Sequence, residues 1–304
     1  MSADSVLARP PRADFVLLGI AVLAISASAP IIAAIAASAL AIAFWRCLLG
    51  AVATGGWVAV RQRTEARGLT WPQWRLIIIA GLLLGAHFAT WIPSLRFTSV
   101  ASSTALVATQ PIWAALIARA RGVYVPGRAW IGIGIALFGV LVLTGIDTSI
   151  DPRNLIGDLL ALVGAVFAAL YVSVAEVSRK SVSTSTMTMG LYASSAALLL
   201  VLCLALQQPL WGFSARDWTL IILLTLTAQL LGHSLINRVL ATTSATITSL
   251  AILFEMPGAT IIAALVIGQL PPASIIPAVV LLFIGLAIVI RAAQSPAPME
   301  SPPA

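Results

Sequence analysis

Charged residues are scarce in this sequence of 304 residues. They make up 9% of the chain, whereas a soluble domain carries about 25%. Hydrophobic residues make up 60%, which excludes a water-soluble protein that hides its apolar residues in one core. The apolar residues suffice for many helices of about 20 residues, the length that crosses the hydrocarbon layer of a bilayer. The sequence therefore predicts an all-α integral membrane protein.

Cysteine clusters, metal-ligand clusters and enzyme motifs are also lacking. The two cysteines, Cys47 and Cys203, lie inside apolar runs, where we expect small packing residues rather than a disulfide pair. The sequence contains no HExxH, GxSxG or Walker motif, and its histidines and acids suggest no metal site. We therefore expect no cofactor, no metal and no ATP-driven pumping by this chain. An intramembrane enzyme or a scaffold is the less favoured alternative.

Apolar stretches separated by proline, glycine and charge clusters predict ten transmembrane helices. The predicted spans are residues 15–36, 38–60, 74–96, 99–119, 128–146, 155–177, 186–207, 218–238, 244–267 and 273–291. On this division residues 14–146 form a first half and residues 155–291 a second half, with a periplasmic linker at 147–154. Residues 1–13 are expected to be a cytoplasmic segment, and residues 292–304 a disordered, proline-rich cytoplasmic tail.

The basic residues predict the orientation of these spans. Lys and Arg near span ends concentrate on the cytoplasmic side of a membrane. With a cytoplasmic N-terminus, the inside segments hold thirteen basic residues and the outside segments hold three, Arg96, Arg153 and Arg216. The net charge of +7 thus reflects membrane topology rather than nucleic-acid binding. We expect a multi-pass protein of the bacterial inner membrane with both termini in the cytoplasm.

The two halves repeat one pattern of residues. Asp14 and Asp158 open the first and sixth spans, and Trp74 and Trp218 open the third and eighth, each pair 144 residues apart. Later matches pair His87 with His233, Thr98-Ser99 with Thr243-Ser244, and Gln110-Pro111 with Glu255-Met256-Pro257. Because five crossings reverse the starting side, the second five-helix repeat must be inverted. Inverted repeats are a transporter architecture, with the substrate site near the midplane between them.

These features resemble the drug/metabolite transporter superfamily in its ten-helix form with two EamA domains. The resemblance rests on the small-residue run at 101–105 before Gln110-Pro111, on its counterpart at 245–249 before Glu255, and on the glycine-rich fifth span. Within the superfamily the chain is most similar to bacterial exporters of aromatic and other amino acids. It differs in having Gly268-Gln269 where members often carry Gly-Glu after the ninth span.

The resemblance implies gradient-driven export of amino acids or related small metabolites by alternating access. A multidrug exporter or an exporter of nucleotide-type metabolites with the same fold is the alternative. We expect a monomer or a weak homo-oligomer, whose partners are a small-molecule substrate and membrane lipid.

Ionisable residues deep inside spans are few, and each costs about 2.5–3.5 kcal/mol on insertion scales. Arg46 in the second span and Glu255 in the ninth are the clearest cases. Arg46 is predicted to bind a substrate carboxylate or to balance a carboxylate of the protein. Glu255 is predicted to bind a substrate ammonium group or a coupling proton. The alternative for both residues is a structural pair.

Polar and aromatic residues in mid-span complete the predicted substrate site. In the eighth span Thr225, Gln229, His233 and Asn237 recur at intervals of four and form one polar stripe, which must face protein or water rather than lipid. The other predicted lining residues are Trp45, His87, Trp91, Gln110, Trp113 and Tyr171. The aromatic residues could instead be packing or lipid-facing residues, and the histidines could bond only a backbone carbonyl.

Two repeat-related prolines are predicted hinges for alternating access. Pro111 and Pro257 lie in mid-span, where proline removes a backbone donor and bends a helix. Fixed curvature around a cavity is the alternative.

Overall fold

The computed structural model describes residues 11–98, 100–144, 152–267 and 273–293. The helices are α1 Arg12–Ser26, α2 Ser28–Ala34, α3 Ala39–Arg61, α4 Arg63–Gly68, α5 Trp71–Phe97, α6 Val100–Val107, α7 Gln110–Ala120, α8 Gly127–Thr144, α9 Pro152–Ser178, α10 Thr184–Ala205, α11 Ala215–Leu224, α12 Ser234–Val239, α13 Ala245–Ile252, α14 Glu255–Ile267 and α15 Ile275–Ala292. A π-helical segment, Thr225–His233, joins α11 to α12. The predicted segments 1–13, 147–154 and 292–304 lie wholly or partly outside the described residues, and Gly268-Gln269 lies outside them.

Serine side chains start four of the helices. Ser38, Ser183, Ser214 and Ser244 precede α3, α10, α11 and α13, and each accepts a hydrogen bond from a backbone N–H of the first turn. A serine cap satisfies one of the backbone donors that have no partner within the helix. The caps lie in the short connections between apolar runs, so these helices begin close to the starts of the predicted spans.

The described helices confirm a multi-pass membrane protein. Eight helical segments are long and apolar enough to cross a membrane, and Gly127–Leu143 is a shorter apolar helix. Ten continuous spans are not confirmed. The predicted fourth span, residues 99–119, is divided into α6 and α7, and neither part alone is long enough. The predicted first span is also divided, into α1 and α2 at Ala27.

The fourth and ninth predicted spans are broken at related places. Two residues separate α6 from α7, and two separate α13 from α14. Gln110 is the first residue of α7 and Glu255 the first of α14, and Pro111 and Pro257 follow within the first turn. Proline is tolerated there because its missing N–H would have no intrahelical partner. The prolines therefore start half-helices instead of kinking continuous ones, and their role as hinges stays a prediction.

The two halves exchange their first helices. α1 packs on the π-helical segment, α12 and α14 of the second half, and α9 packs on α5, α6 and α7 of the first half. Asp14 in α1 accepts hydrogen bonds from the Oγ1 atoms of Thr242 (2.5 Å) and Thr243 (3.0 Å). Asp158 in α9 accepts one from the Oγ of Ser102 at 2.9 Å. A contact between an aspartate and hydroxyl groups therefore occurs twice, each time across the two halves.

Glycines bring the fifth and tenth predicted spans together along their backbones. A Cβ added at Gly132 of α8 would lie 2.7 Å from the carbonyl oxygen of Gly285 in α15, and a Cβ at Gly285 would lie 2.5 Å from that of Gly132. A Cβ at Gly81 of α5 would clash in the same way with the carbonyl oxygen of Leu191 in α10. Close approach through small residues is a common mode of helix packing in membranes, and it fixes α8 against α15 and α5 against α10.

Glu65 joins the short helix α4 to the start of α10, outside the membrane-spanning helices. Its carboxylate accepts hydrogen bonds from the backbone N–H of Ser183 (2.7 Å), the Oγ of Ser183 (2.5 Å) and the Oγ1 of Thr186 (2.7 Å). Burial raises the pKa of Glu65, but these hydrogen bonds and the charge of Arg179 outweigh it and hold the pKa below its ordinary value. The contact therefore favours the charged carboxylate.

Candidate functional site

A small cavity lies where the two broken helices meet. Its volume is about 50 Å³, and its polar and aromatic lining residues are Ser28, His87, Trp91, Gln110, Tyr171, His233 and Glu255. A second cavity of about 40 Å³ shares Trp91, Gln110 and Glu255 with the first and extends to Thr104 and Ser249. Both halves of the chain contribute to this lining. The arrangement is that of a site between two repeats.

Glu255 supplies the carboxylate of this cavity. It is the first residue of α14, so it lies at the positive end of the helix dipole. The side chain is half-buried, and within the described ranges no residue donates a hydrogen bond to it or forms an ion pair with it. An ionisable side chain inside a membrane protein marks an ion, proton or substrate site by default.

At the related position of the first half, the side chain is a neutral amide that makes a hydrogen bond across the two halves. Gln110 is the first residue of α7 and is buried. Its Nε2 donates a hydrogen bond of 3.0 Å to the Oγ of Ser249 in α13. The amide therefore ties the break of the first half to the helix that precedes the break of the second half.

His87, Trp91 and Tyr171 form an aromatic wall of the cavity. The rings of His87 and Trp91 are nearly parallel, with centroids 5.6 Å apart and an angle of 6°. The Nδ1 of His87 is 2.9 Å from the carbonyl oxygen of Gly164. Tyr171 donates a hydrogen bond of 2.9 Å to the Oδ1 of Asn237. The Nε1 of Trp91 is buried without a hydrogen-bond partner among the described residues, so the wall contains one unsatisfied donor.

The polar stripe of the eighth predicted span runs through the π-helical segment. Hydrogen bonds in a π-helix run between residues five apart, and the wider turn aligns residues four apart more closely along the axis than in an α-helix. Thr225, Gln229 and Asn237 are buried, and His233 lines the cavity. The Nδ1 of His233 is buried and has no partner in the described parts of the chain. The stripe thus faces the interior, in a helix form that is often found at functional sites.

Arg46 lies near the cavity but does not line it. The residue is completely buried, its Nε donates to the Oε1 of Gln229 at 2.8 Å, and its guanidinium carbon lies 4.2 Å from the ring centroid of Phe88. The same ring meets His233 of the cavity wall edge-on, with centroids 5.5 Å apart. Phe88 therefore contacts both Arg46 and the wall of the cavity.

The charge of Arg46 is only partly compensated. Its two terminal nitrogens are buried and have no hydrogen-bond partner among the described residues. A buried cation with open donors is costly unless a carboxylate, a water molecule or a ligand completes its shell. The two terminal nitrogens are therefore free to donate hydrogen bonds if the surrounding side chains move.

The model of the EamA-like transporter family matches the sequence twice, at residues 15–145 and at residues 155–291. The chain belongs to the EamA-like transporter family. This family lies within the drug/metabolite transporter superfamily, so the predicted superfamily is confirmed, and it is a family of transporters rather than of enzymes. Each of the two EamA-like segments contains one of the broken helices that meet at the cavity.

A solved crystal structure has the fold of this EamA-like chain. It is 18% identical in sequence, with a TM-score of 0.76, and the match covers 93% of this chain and 99% of the other. Identity at this level is evidence for the fold alone. The comparison with curated proteins found no match. The similarity to amino-acid exporters therefore stays a prediction.

Besides Arg46 and Gln229, which are buried beside the central cavity without lining it, two other residues predicted to line the site do not line it. Trp45 meets Trp211 and Trp218 edge-on, with centroids 4.7 and 4.8 Å apart, and its Nε1 donates to the carbonyl oxygen of Leu210 at 2.8 Å. Trp113 is half-buried and donates to the Oγ1 of Thr109 at 3.2 Å. Neither lines the central cavity. Their depth in the spans follows from the sequence, but the direction of each side chain depends on helix rotation.

Sequence analysis missed two polar residues that line the site and one that contacts Gln229 beside it. Ser28 lines the cavity as the first residue of α2, and Ser249 accepts the hydrogen bond of Gln110. Tyr192 donates to the carbonyl oxygen of Gln229 at 2.9 Å, inside the π-helical segment. Ser249 could have been predicted, because serine side chains often form hydrogen bonds between helices in membranes and this one lies six residues before Glu255.

Proposed function

We propose that the chain is a secondary transporter that exports amino acids, or related small amphipathic amines, across the bacterial inner membrane. In this proposal the two inverted halves alternate access to the cavity at the helix breaks, and both termini are cytoplasmic. The family assignment supports transport as such. The substrate, the direction of transport and the identity of the membrane go beyond the family assignment and belong to the proposal.

Ten spans are part of this proposal. α6 and α7 together cover Val100–Ala120, or about 32 Å at about 1.5 Å per residue. α8 covers Gly127–Thr144, or about 27 Å by the same measure. Both lengths suit a hydrocarbon layer of about 30 Å. The broken helix and the short helix therefore supply two crossings beyond the eight long segments.

The carboxylate of Glu255, which accepts no hydrogen bond from the described residues, carries the substrate proposal. It lies in the cavity at the junction of the two halves, where an ammonium group would supply hydrogen-bond donors and a charge closer than that of Arg46. His87, Trp91 and Tyr171 add aromatic surface that suits an apolar or aromatic side chain.

Arg46 supports a substrate that also carries a carboxylate. Its two open nitrogens lie next to Phe88, which contacts the cavity wall. A rotation of the Phe88 ring would expose them to a ligand held by Glu255. An amino acid has both the ammonium and the carboxylate group that this pair of residues requires.

The size of the cavity requires movement during transport. Volumes of about 50 and 40 Å³ hold a few water molecules, whereas ligand sites usually measure about 300–1,000 Å³. The described conformation is therefore contracted around the site. Binding must separate the half-helices or move the aromatic wall.

Three labelled compounds of one shape test the proposal by counterflow in proteoliposomes. Phenylalanine has both charged groups, phenethylamine only the ammonium group, and 3-phenylpropionate only the carboxylate. We expect exchange of phenylalanine, weaker exchange of phenethylamine and none of 3-phenylpropionate. Absence of exchange across a wider amino-acid panel, with a folded protein, would contradict amino-acid transport.

A transporter of organic cations is the second candidate. The observation that favours it is that Arg46 does not line the cavity and stacks on Phe88, whereas Glu255 lines it. If phenethylamine exchanges faster than phenylalanine, and bulkier aromatic amines also exchange, the cation transporter is the better description.

A further inference from the structure

A larger, separate groove opens on the outer surface of the helix bundle, between α1, α13, α14 and α15. Its volume is about 470 Å³, and the 15 described residues that line it are all apolar, glycine or proline. Phe15, Leu23 and Phe283 are exposed large side chains at this groove. Because these helices cross a membrane, such side chains face lipid. The groove is therefore open to acyl chains and closed to water.

The groove shares a wall with the central cavity. Pro257 and Gly258 of α14 line the groove, whereas Glu255 lines the central cavity. On α1, Val22 lines the groove and Ile25 the central cavity. The wall between the two spaces is thus one helix thick, and it contains the break between α13 and α14.

Two of the helices that line the groove each carry an arginine close in sequence to the lining residues. Arg12 lies three residues before Phe15, on the same face of α1, and Arg291 directly follows Ile290 on α15. Phe15 and Ile290 both line the groove, and both arginines are exposed at the predicted cytoplasmic ends of their helices. Arginine side chains there can extend to the headgroup layer and bind phosphate through two parallel hydrogen bonds.

We propose that this groove binds one acyl chain of an anionic glycerophospholipid whose phosphate is held by Arg12 and Arg291. The apolar lining matches the chain, and the paired positive charges match the headgroup. The bound chain lies against Pro257 and Gly258. A lipid at this place contacts the wall of the central cavity from the membrane side.

A glycine in the groove provides the test variant. A Cβ at Gly19 would meet no atom within 4 Å, so Gly19→Leu can place a side chain in the groove. Gly134 in α8 is the matched control, because it is also exposed, a Cβ there also meets nothing within 4 Å, and it does not line the groove. Thermal unfolding of both variants checks that each is folded.

The experiment measures bound lipid by native mass spectrometry after reconstitution in equal amounts of phosphatidylglycerol and phosphatidylethanolamine. We expect the unmodified protein and Gly134→Leu to retain one phospholipid, enriched severalfold in phosphatidylglycerol. Gly19→Leu should lose it. Arg12→Gln with Arg291→Gln should retain lipid but lose the enrichment.

Three results would overturn the proposal. The unmodified protein could retain no lipid, Gly19→Leu could retain as much as Gly134→Leu, or the double arginine variant could keep the full enrichment. The first two exclude the groove as the site, and the third excludes the arginines as the phosphate ligands. Because the readout is the mass of bound lipid, it does not depend on the substrate that the protein transports.

Discussion

Gln110 and Glu255 occupy the same place in the two halves and differ in charge. Each is the first residue of a half-helix that a proline helps to start. Gln110 donates its hydrogen bond to Ser249, whereas Glu255 accepts no hydrogen bond from the described residues and feels the charge of Arg46 only at longer range. The two halves therefore share the same backbone arrangement at the break, but they carry different side chains there. We propose that the first break holds the halves together and that the second binds what is transported.

Glu255→Gln makes the two breaks alike and should have the largest effect. A hydrogen bond to a charged group is worth about 1.5–3 kcal/mol, so binding of amines should weaken about 10- to 100-fold. Stimulation by a pH gradient should disappear, while exchange of substrate at high concentration should persist. Uptake into proteoliposomes with and without the gradient measures both. Glu65→Gln, the same change outside the membrane, is the control, and an unchanged pH response in Glu255→Gln would exclude proton coupling through this residue.

Arg46→Met removes the buried positive charge of α3, in the first half. Methionine fills similar apolar space, and the open nitrogens are lost. We expect phenylalanine exchange to fall about tenfold, as for the loss of one charge-assisted hydrogen bond, while phenethylamine exchange stays unchanged. Equal loss for both compounds would instead assign Arg46 a structural role beside Gln229 and Phe88.

Breaking the bond between Gln110 and Ser249 tests the structural side of the comparison. Gln110→Ala, Ser249→Ala and the double variant form a cycle, for which we expect a coupling free energy of about 0.5–1.5 kcal/mol. Thermal unfolding in detergent measures it. The proton-gradient response should remain in all three variants. Strictly additive effects would show that the hydrogen bond does not join the halves.

Glu65, unlike Glu255, accepts several hydrogen bonds. Its substitution should have the smallest effect of the four predictions. Its pKa is lower in the folded protein than the ordinary value of 4.5, so the unfolded chain takes up the proton first as the pH falls. Its contribution to stability is present at neutral pH and is lost below about pH 4.5. We expect Glu65→Gln to lower the melting temperature at pH 7 and to match the unmodified protein more closely at pH 4. A constant difference between the two proteins over this range would argue against the assignment.

The sequence allowed much of the helical layout to be predicted, because apolar runs and polar connections must alternate in a membrane protein. The polar stripe from Thr225 to Asn237 was also predictable, since polar side chains cannot face lipid. The division of residues 99–119 was not predicted, because its alanine, serine and threonine residues are all compatible with a continuous helix. Gln110-Pro111 contained the signal for the break.

Side-chain direction was the main part of the site that the sequence did not determine. Trp91 lines the cavity and Trp45 does not, although both lie in mid-span and both were predicted. The distinction depends on how α3 and α5 are rotated against their neighbours. The stacking of Arg46 on Phe88 has the same origin, because it requires contacts between residues on different helices.

The exchange of first helices makes each half incomplete without the other. Asp14 finds its hydroxyl partners in the second half and Asp158 finds its partner in the first. One half alone would leave its aspartate without that partner and the packing face of its first helix uncovered. A chain with only one half could satisfy its aspartate and cover its first helix in this way only by pairing with a second copy of itself.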